Sequence, residues 1–145
     1  MTHTVKVTVS ERNGRRYAST GSAWEPVIGY SRAVRTGDAI YVTGTVGVEA
    51  DGSYAHSIKG QTRRALAIVV AAIEALGGKA SDVVRTRIYL TDISQWQEVG
   101  HVHGEVFGKT RPATTLVQVA RLIDAAAHVE IEADAIVHPE DHDVM

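Results

Sequence analysis

The chain has no cysteine among its 145 residues. This absence excludes disulfide bonds, thiolate catalysis and cysteine-ligated zinc, and it is typical of a reducing compartment. An excess of charge of either sign is also missing, because 15 Lys and Arg stand against 17 Asp and Glu for a net charge of −2. No basic stripe of the kind that binds a phosphate backbone is present, so we expect no nucleic-acid partner.

Long hydrophobic runs are missing as well. The longest apolar run, residues 65–73, is far too short to cross a bilayer, and the first ten residues contain no apolar export segment. We therefore expect a cytoplasmic protein that is neither exported nor anchored to a membrane. With 44% hydrophobic residues, a chain of this length can fill one core, which predicts a single domain over residues 1–145.

Two β patterns occupy the first third of the chain. Residues 4–9 alternate valine with polar residues ahead of a turn signal at Asn13-Gly14, so we expect a hairpin or arm within residues 1–20. Residues 38–48 are rich in β-branched side chains. They predict a strand whose backbone is closely approached at Gly44.

A helix and a strand follow. Apolar residues recur at helical spacing over residues 57–76, which predicts a helix that starts at Ser57 and stops at Gly77. Residues 82–91 alternate as a strand does. The expected core face comprises Val84, Thr86, Ile88 and Leu90, and the opposite face comprises Arg85, Arg87 and Tyr89.

A second helix and two further strands complete the chain. Ser94–Gln97 match a capping box, and the apolar stripe behind them comprises Trp96, Val99, His103, Val106 and Phe107. Residues 113–121 and 128–137 then predict strands, ahead of a polar tail over residues 138–145.

The predicted element order is β-β-α-β-α-β-β. Two helices against a mixed sheet of four to six strands make an α+β two-layer domain. Because the strands also carry apolar and charged residues on their other side, we expect another subunit to bury the sheet face away from the helices.

Short motifs run in a fixed order through about residues 26–137. They are Gly29-Tyr30-Ser31, Val42-Thr43-Gly44, Gln61-Thr62-Arg63, residues 82–86 with Asp92, RPATTLVQVARL at residues 111–122 and VEIEA at residues 129–133. In order and spacing the chain resembles the Rid (YjgF-like) superfamily of imine and enamine deaminases. The stretch from Pro112 to Glu130 is specific enough that chance is a poor explanation.

The resemblance implies a chorismate-mutase-like homotrimer with strands inside, helices outside and clefts between neighbouring subunits, working without a cofactor. Members that act on imines hydrolyse 2-imino acids to 2-keto acids and ammonia. In those members a cleft tyrosine matches Tyr30, a strand serine or threonine matches Thr43, and the acidic residue that positions water matches Glu130.

The chain departs from that family pattern at the cation that binds the substrate carboxylate. Imine-deaminating members have Arg after Pro-Ala, whereas this chain has Thr114, which cannot pair bidentately with a carboxylate. We hypothesise that Arg87, an additional arginine on its strand, supplies the charge; an Arg87→Ala variant with undiminished 2-imino acid turnover would contradict this. Gly100 and Leu116 are further departures, at positions where many members have Asn and Cys.

The same residues also have plainer interpretations. Glu130, Glu132 and Asp134 share one face of their strand and are opposite in sign to Arg85 and Arg87, so ion pairs explain both sets without catalysis. Tyr30 and Trp24 could pack under a loop as readily as they could line a cleft.

A histidine cluster at residues 101–105, HVHGE, suggests a metal site with His56 as a third ligand. However, residues two apart on a helix point about 200° apart, so His101 and His103 cannot reach one ion. We predict no metal site and expect His103 to be buried or at an interface.

Three functions are weighed on this basis. The first is a Rid-type hydrolase of a small imine or enamine, with catalytic Tyr30, Thr43 and Glu130 and a substrate contacted by Trp24, Gly44, Arg87 and Thr114. The second is a non-catalytic trimer that binds a metabolite or a partner protein through the same cleft. A ribonuclease, the third, fits poorly with the slightly acidic charge balance.

Overall fold

A computed structural model describes residues 4–138 of the chain. The strands are β1 (Thr8–Arg12), β2 (Arg15–Ser19), β3 (Ala33–Thr36), β4 (Ala39–Val46), β5 (Val83–Leu90), β6 (Ala113–Gln118) and β7 (Val129–Ile136), and the helices are α1 (Ile58–Ala75) and α2 (Trp96–Phe107). Residues 1–3 of the expected arm and residues 139–145 of the expected tail lie outside the described residues. Between residues 4 and 138, no helix is both long and apolar enough to span a membrane.

The strands form one mixed sheet in the order β1-β2-β3-β4-β7-β5-β6. β5 and β6 are parallel and α2 connects them, while every other neighbouring pair is antiparallel. Both helices pack together, and α1 covers β4 and β7. The α+β class with a mixed sheet is thus confirmed, although the sheet has seven strands rather than four to six.

The core lies between the helices and the central strands. On β7 the buried residues Val129, Ile131, Ala133 and Ala135 alternate with partly exposed charged residues. α1 contributes a buried stripe that includes Leu66, Val69 and Ile73. As expected, Ser57 caps α1 by accepting a hydrogen bond from the Gly60 amide at 3.0 Å.

The N-terminal hairpin exists but starts later than the alternation of residues 4–9 predicts. Its turn is the expected Asn13-Gly14, with φ of 52° and 76°, as a tight hairpin turn requires. Thr8 pairs with Ser19, the last residue of β2, so the residues before Thr8 have no opposing strand to extend the hairpin.

β3 was not expected from the sequence. It is only four residues long, and it contains a buried arginine, Arg35, whose Nη1 donates to the Leu76 carbonyl at 2.8 Å. A helix C-terminus leaves carbonyls without intrahelical partners, and a guanidinium that satisfies one of them can be buried in a strand.

In β5 the expected core face is wrong at one position. Thr86, Ile88 and Leu90 are buried, but Val84 is 48% exposed and Val83 is buried instead. The register between β5 and β7 shifts at Val83/Arg85, and such a bulge turns the strand end so that alternation fails there.

The expected start and stripe of α2 need correction too. Asp92, not Ser94, is the capping residue. It caps a short 3₁₀ turn at Ile93–Gln95 by accepting a hydrogen bond from the Ser94 amide at 3.0 Å, and α2 begins directly after this turn at Trp96. Trp96 is 54% exposed, and the buried residues of the helix are Val99, Val102 and Phe107. β6 also ends at Gln118, three residues earlier than expected.

Candidate active site

A cavity of about 780 Å³ opens beside the paired ends of β4 and β7. Its lining includes five of the seven site residues expected from the sequence: Trp24, Tyr30, Thr43, Gly44 and Glu130. They come from a loop, from β4 and from the start of β7, so the sheet brings together positions more than a hundred residues apart in sequence.

Glu130 pairs with Val46 of β4, and its side chain lies on the sheet face away from the helices, close to Gly44. A β-carbon built on Gly44 would overlap the Glu130 Oε2 atom and lie 2.9 Å from its Cδ. This confirms the close approach expected at Gly44. Only the missing side chain of a glycine gives the carboxylate room against β4.

Burial raises the pKa of the Glu130 carboxyl above its ordinary value of 4.5. The negative charge of Glu132 raises this pKa further, and the positive charge of Arg32 opposes the rise. Within residues 4–138 the carboxylate receives no hydrogen bond, so its oxygens are available to water or a ligand. A carboxylate with a raised pKa binds a proton more tightly, which makes it a better proton acceptor.

Arg32 is the site residue that the sequence analysis missed. It is 6% exposed, and its Nη1 donates to the Gly44 carbonyl at 2.9 Å and to Thr45 Oγ1 at 3.2 Å. Its Nε donates to Thr20 Oγ1 at 3.3 Å. Neutral oxygens therefore hold the guanidinium, and no ion pair to it is found in the described part of the chain.

Arg32 also contacts Tyr30. Its Nη2 donates to the Tyr30 hydroxyl at 3.4 Å, and its guanidinium carbon lies 5.5 Å from the centre of the Tyr30 ring. A donor on the phenol oxygen polarises the hydroxyl and makes it a better donor to a ligand. The two residues are only two apart in the sequence, but no local pattern marks Arg32 as part of the site.

Glu25 shapes the loop that carries Trp24 and Tyr30. Its buried carboxylate accepts from the Ser22 amide at 3.2 Å, and its carbonyl accepts from the Tyr30 amide at 3.0 Å. The intervening single helical turn ends at Gly29, whose φ of 89° suits glycine. These bonds fix the loop over the cavity.

Arg87 and Thr43 border a second, adjoining hollow, which Tyr30 also lines. Arg87 Nη1 lies 3.1 Å from Glu132 Oε1 and 3.5 Å from Asp134 Oδ2. The ion-pair interpretation is thus confirmed for Arg87 with Glu132 and Asp134, whereas no ion pair of Glu130 or Arg85 is found within residues 4–138 of one chain. Because two carboxylates already neutralise Arg87, it is a weak source of the cation that a substrate carboxylate would need.

Thr114 lies in neither hollow. Its hydroxyl is 2.8 Å from Thr86 Oγ1, which in turn lies 2.9 Å from His103 Nε2. These contacts direct Thr114 to the helix side of the sheet, so one chain does not bring it to Glu130. Its role as a substrate-binding residue stays a prediction that requires a neighbouring subunit.

The histidine cluster of α2 divides as its helical spacing predicts. His103 is half-buried against Phe107, with ring centres 4.8 Å apart, whereas His101 is exposed and lies 3.4 Å from Glu105. Over residues 4–138 no group of three or more His, Asp or Glu side chains could hold a metal ion.

Comparison with known proteins identifies the family. The family model described as Endoribonuclease L-PSP matches residues 20–137. The chain belongs to the YjgF/RidA/UK114 family. Its resemblance to Rid proteins, and with it the chorismate-mutase-like α+β fold, is confirmed.

Several members of the YjgF/RidA/UK114 family resemble the chain over most of its length. An uncharacterized protein of Streptomyces coelicolor is 36% identical over 121 residues, which are 83% of this chain and 90% of that protein. A 2-iminobutanoate/2-iminopropanoate deaminase of Dermatophagoides farinae is 32% identical over 125 residues, 85% of this chain and 97% of that protein. A crystal structure from Mycobacterium tuberculosis, of the YjgF/YER057c/UK114 family, shares 49% identity and a TM-score of 0.79, covering 85% of this chain and 99% of that one.

Proposed function

We propose that this protein hydrolyses the C=N bond of a small imine or enamine and releases ammonia, with Glu130 as the proton acceptor. One observation carries the proposal: a carboxylate of raised pKa, without a hydrogen bond from the described residues, lines a cavity beside the Arg32–Tyr30 pair. The imine deaminase name of family members about one-third identical to this chain adds support.

In the proposed reaction a protonated imine enters the cavity with its C=N group between Tyr30 and Glu130. Glu130 accepts a proton from water as the water oxygen bonds to the imine carbon. The proton then passes to the amine nitrogen, and the C–N bond breaks with its electron pair on nitrogen. Ammonia leaves, the hydroxyl proton is lost, and a carbonyl remains.

Tyr30 and Arg32 have different roles in this proposal. The Tyr30 hydroxyl donates to the amine nitrogen that forms when water adds to the imine carbon, while Arg32 holds the phenol oxygen and keeps a positive charge near Glu130. Arg32 is a positioning residue, because protein oxygens already accept most of its N–H groups. Thr43 borders both hollows and would contact the substrate from β4.

We also propose that the protein works as a homotrimer with its strands inside, in the cytoplasm. The sheet face away from the helices supports the assembly, because Tyr41, Val117 and Ile136 are exposed there in one chain. The missing cysteines support the location. Sedimentation equilibrium tests the assembly: a mass of three chains is expected, and a monomer at micromolar concentration would contradict it.

A cavity that only binds a metabolite or a partner is the alternative, and the raised pKa of Glu130 favours catalysis over it. The net charge of −2 argues against a ribonuclease, because binding of a phosphate backbone needs positive charge.

The test is a competition assay on the full chain. An amino-acid oxidase generates a 2-imino acid, semicarbazide traps whatever has not been hydrolysed, and semicarbazone formation is followed by absorbance. We expect the protein to slow semicarbazone formation in proportion to its concentration while free 2-keto acid accumulates instead. Unchanged trapping with 2-imino acids from alanine, leucine and phenylalanine would reject hydrolysis of 2-imino acids.

A further inference from the structure

The cavity beside Glu130 continues well past the polar groups proposed for catalysis. Besides Glu130, Tyr30 and Arg32, its lining includes the charged residues Lys6, Glu49, Arg64 and Asp124 and a set of apolar side chains. The larger apolar side chains include Trp24, Ile28, Val48, Ile68 and Ile123. They come from the loop before β3, the segment after β4, α1 and the loop before β7.

Three of these apolar side chains are strongly exposed in the chain. Trp24, Ile28 and Ile123 have exposed fractions of 47%, 58% and 70%. Single exposed apolar residues are common on protein surfaces, but these three line one cavity, and together they are called the apolar wall here. A ligand with an apolar substituent would remove this wall from water.

The volume of the cavity also indicates a ligand with an apolar substituent. Its volume of about 780 Å³ falls in the range of sites that enclose a drug-sized ligand. The four-carbon and three-carbon imines named for the Dermatophagoides farinae relative carry only an ethyl or a methyl group beside the imine carbon. Such a molecule, bound at Glu130, would leave the apolar wall in contact with water.

We infer that the preferred substrate carries an aromatic or large branched aliphatic substituent, which packs against Trp24, Ile28 and Ile123 while its C=N group lies at Glu130. This inference rests on the proposed hydrolysis and adds the class of substrate. Full burial of one phenyl group strengthens binding on the order of tenfold to a hundredfold.

Two paired measurements test the inference. In the first, the imines derived from phenylalanine and alanine are compared in the semicarbazide assay, and kcat/KM is expected to be at least tenfold higher for the phenylalanine-derived imine. In the second, calorimetry compares the binding of the products, phenylpyruvate and pyruvate. Both pairs keep the carboxylate constant, so only the substituent differs.

A matched pair of variants assigns the effect to the wall. Ile28 and Val27 are neighbours on one short helical turn and both are exposed, but only Ile28 lines the cavity. Ile28→Ser should reduce the phenylalanine-to-alanine ratio of kcat/KM several-fold, whereas Val27→Ser should leave the ratio unchanged. A ratio, unlike a rate, is insensitive to a partial loss of folded protein or assembly.

The possible outcomes separate this inference from the proposed function. Turnover of the alanine-derived imine that equals or exceeds that of the phenylalanine-derived one overturns the substituent preference and leaves hydrolysis intact. Tighter binding of phenylpyruvate than of pyruvate without any turnover supports the apolar wall and overturns hydrolysis. Equal binding of the two keto acids, or binding of neither, overturns the inference.

Discussion

Gly44 and Glu130 lie so close that a β-carbon on Gly44 would overlap the Glu130 carboxylate. The glycine and the acid are 86 positions apart in the chain, and the pairing of β4 with β7 brings them together. The position of the carboxylate over the sheet therefore depends on a missing side chain, and this dependence can be tested directly.

Gly44→Ala should displace the Glu130 carboxylate and lower imine turnover on the order of a hundredfold, because small misplacements of catalytic groups have effects of that size. The control is Gly100→Ala in α2, where an added β-carbon meets nothing within 4 Å. That variant should retain turnover and gain about 0.5–1 kcal/mol of stability, since alanine is the better helix former. Equal turnover by the two variants would show that the close approach has no role in catalysis.

The pKa of Glu130 should respond in opposite directions to two neighbouring charges. Glu132→Gln removes a negative charge and should lower this pKa, whereas Arg32→Gln removes a positive charge and should raise it. Carboxyl ¹³C NMR titration measures both shifts without relying on activity. Shifts of the same sign in the two variants would contradict the assigned causes.

The pH dependence of turnover follows from the same carboxylate. Glu130 accepts a proton only when ionised, and burial raises its pKa above 4.5. As the pH falls, kcat/KM should therefore decline with a midpoint above 4.5, and in Glu132→Gln the midpoint should move to lower pH. A decline centred at or below 4.5 in the unmodified protein would argue against Glu130 as the base.

Gln61 joins two loops to α1. Its Nε2 donates to the carbonyls of Ala55 at 3.1 Å and Ala126 at 3.0 Å, and its Oε1 accepts from the His128 amide at 2.8 Å. Gln61→Leu should cost roughly 2 kcal/mol or more in urea unfolding, because partly buried backbone groups lose their partners. The exposed Arg63→Ala should change stability by less than about 0.5 kcal/mol. A Gln61→Leu protein as stable as Arg63→Ala would show that water replaces these bonds.

His103 predicts a loss of stability in mild acid. Burial lowers its pKa below the ordinary 6.5, so the unfolded chain binds a proton before the folded chain does. The stability associated with neutral His103 is present above pH 6.5 and is lost as the pH falls through the lower folded value. His103→Gln should flatten the stability curve below pH 6.5, and His101→Gln, altered at an exposed site, should not. Identical curves for both variants would contradict this.

Much of the fold was predictable because local signals agreed with it. The helical stripe of α1 had a cap at one end and Gly77 at the other, and both strands of the β5–β7 pair alternated in sequence. The predictions failed where the structure of a segment depends on the strands that it pairs with. β3 exists because β2 and β4 pair with its two edges, and Val84 faces outward because of a bulge against β7.

The site was predictable only in part, for a related reason. Tyr30, Thr43, Gly44 and Glu130 lie in motifs that resemble the family, and the cavity includes them. Arg32 could not be distinguished from a surface arginine, since its burial depends on oxygens from Thr20, Gly44 and Thr45. Thr114 contacts Thr86 because parallel pairing of β5 and β6 aligns them, a register that no local pattern specifies.

The central claim is that Glu130 carries out the proton transfer, and the most direct test compares Glu130→Gln with Glu132→Gln in the semicarbazide assay. Both residues lie on the same face of β7, two positions apart, so the two variants change charge equally. Glu130→Gln should lose on the order of 10²- to 10⁴-fold in kcat/KM, the usual contribution of a catalytic acid or base. Glu132→Gln disturbs the pairing with Arg87 and Tyr89 and lowers the pKa of Glu130, but it leaves the Glu130 carboxylate in place and should stay within about tenfold of the unmodified protein. Full turnover by Glu130→Gln would contradict the account.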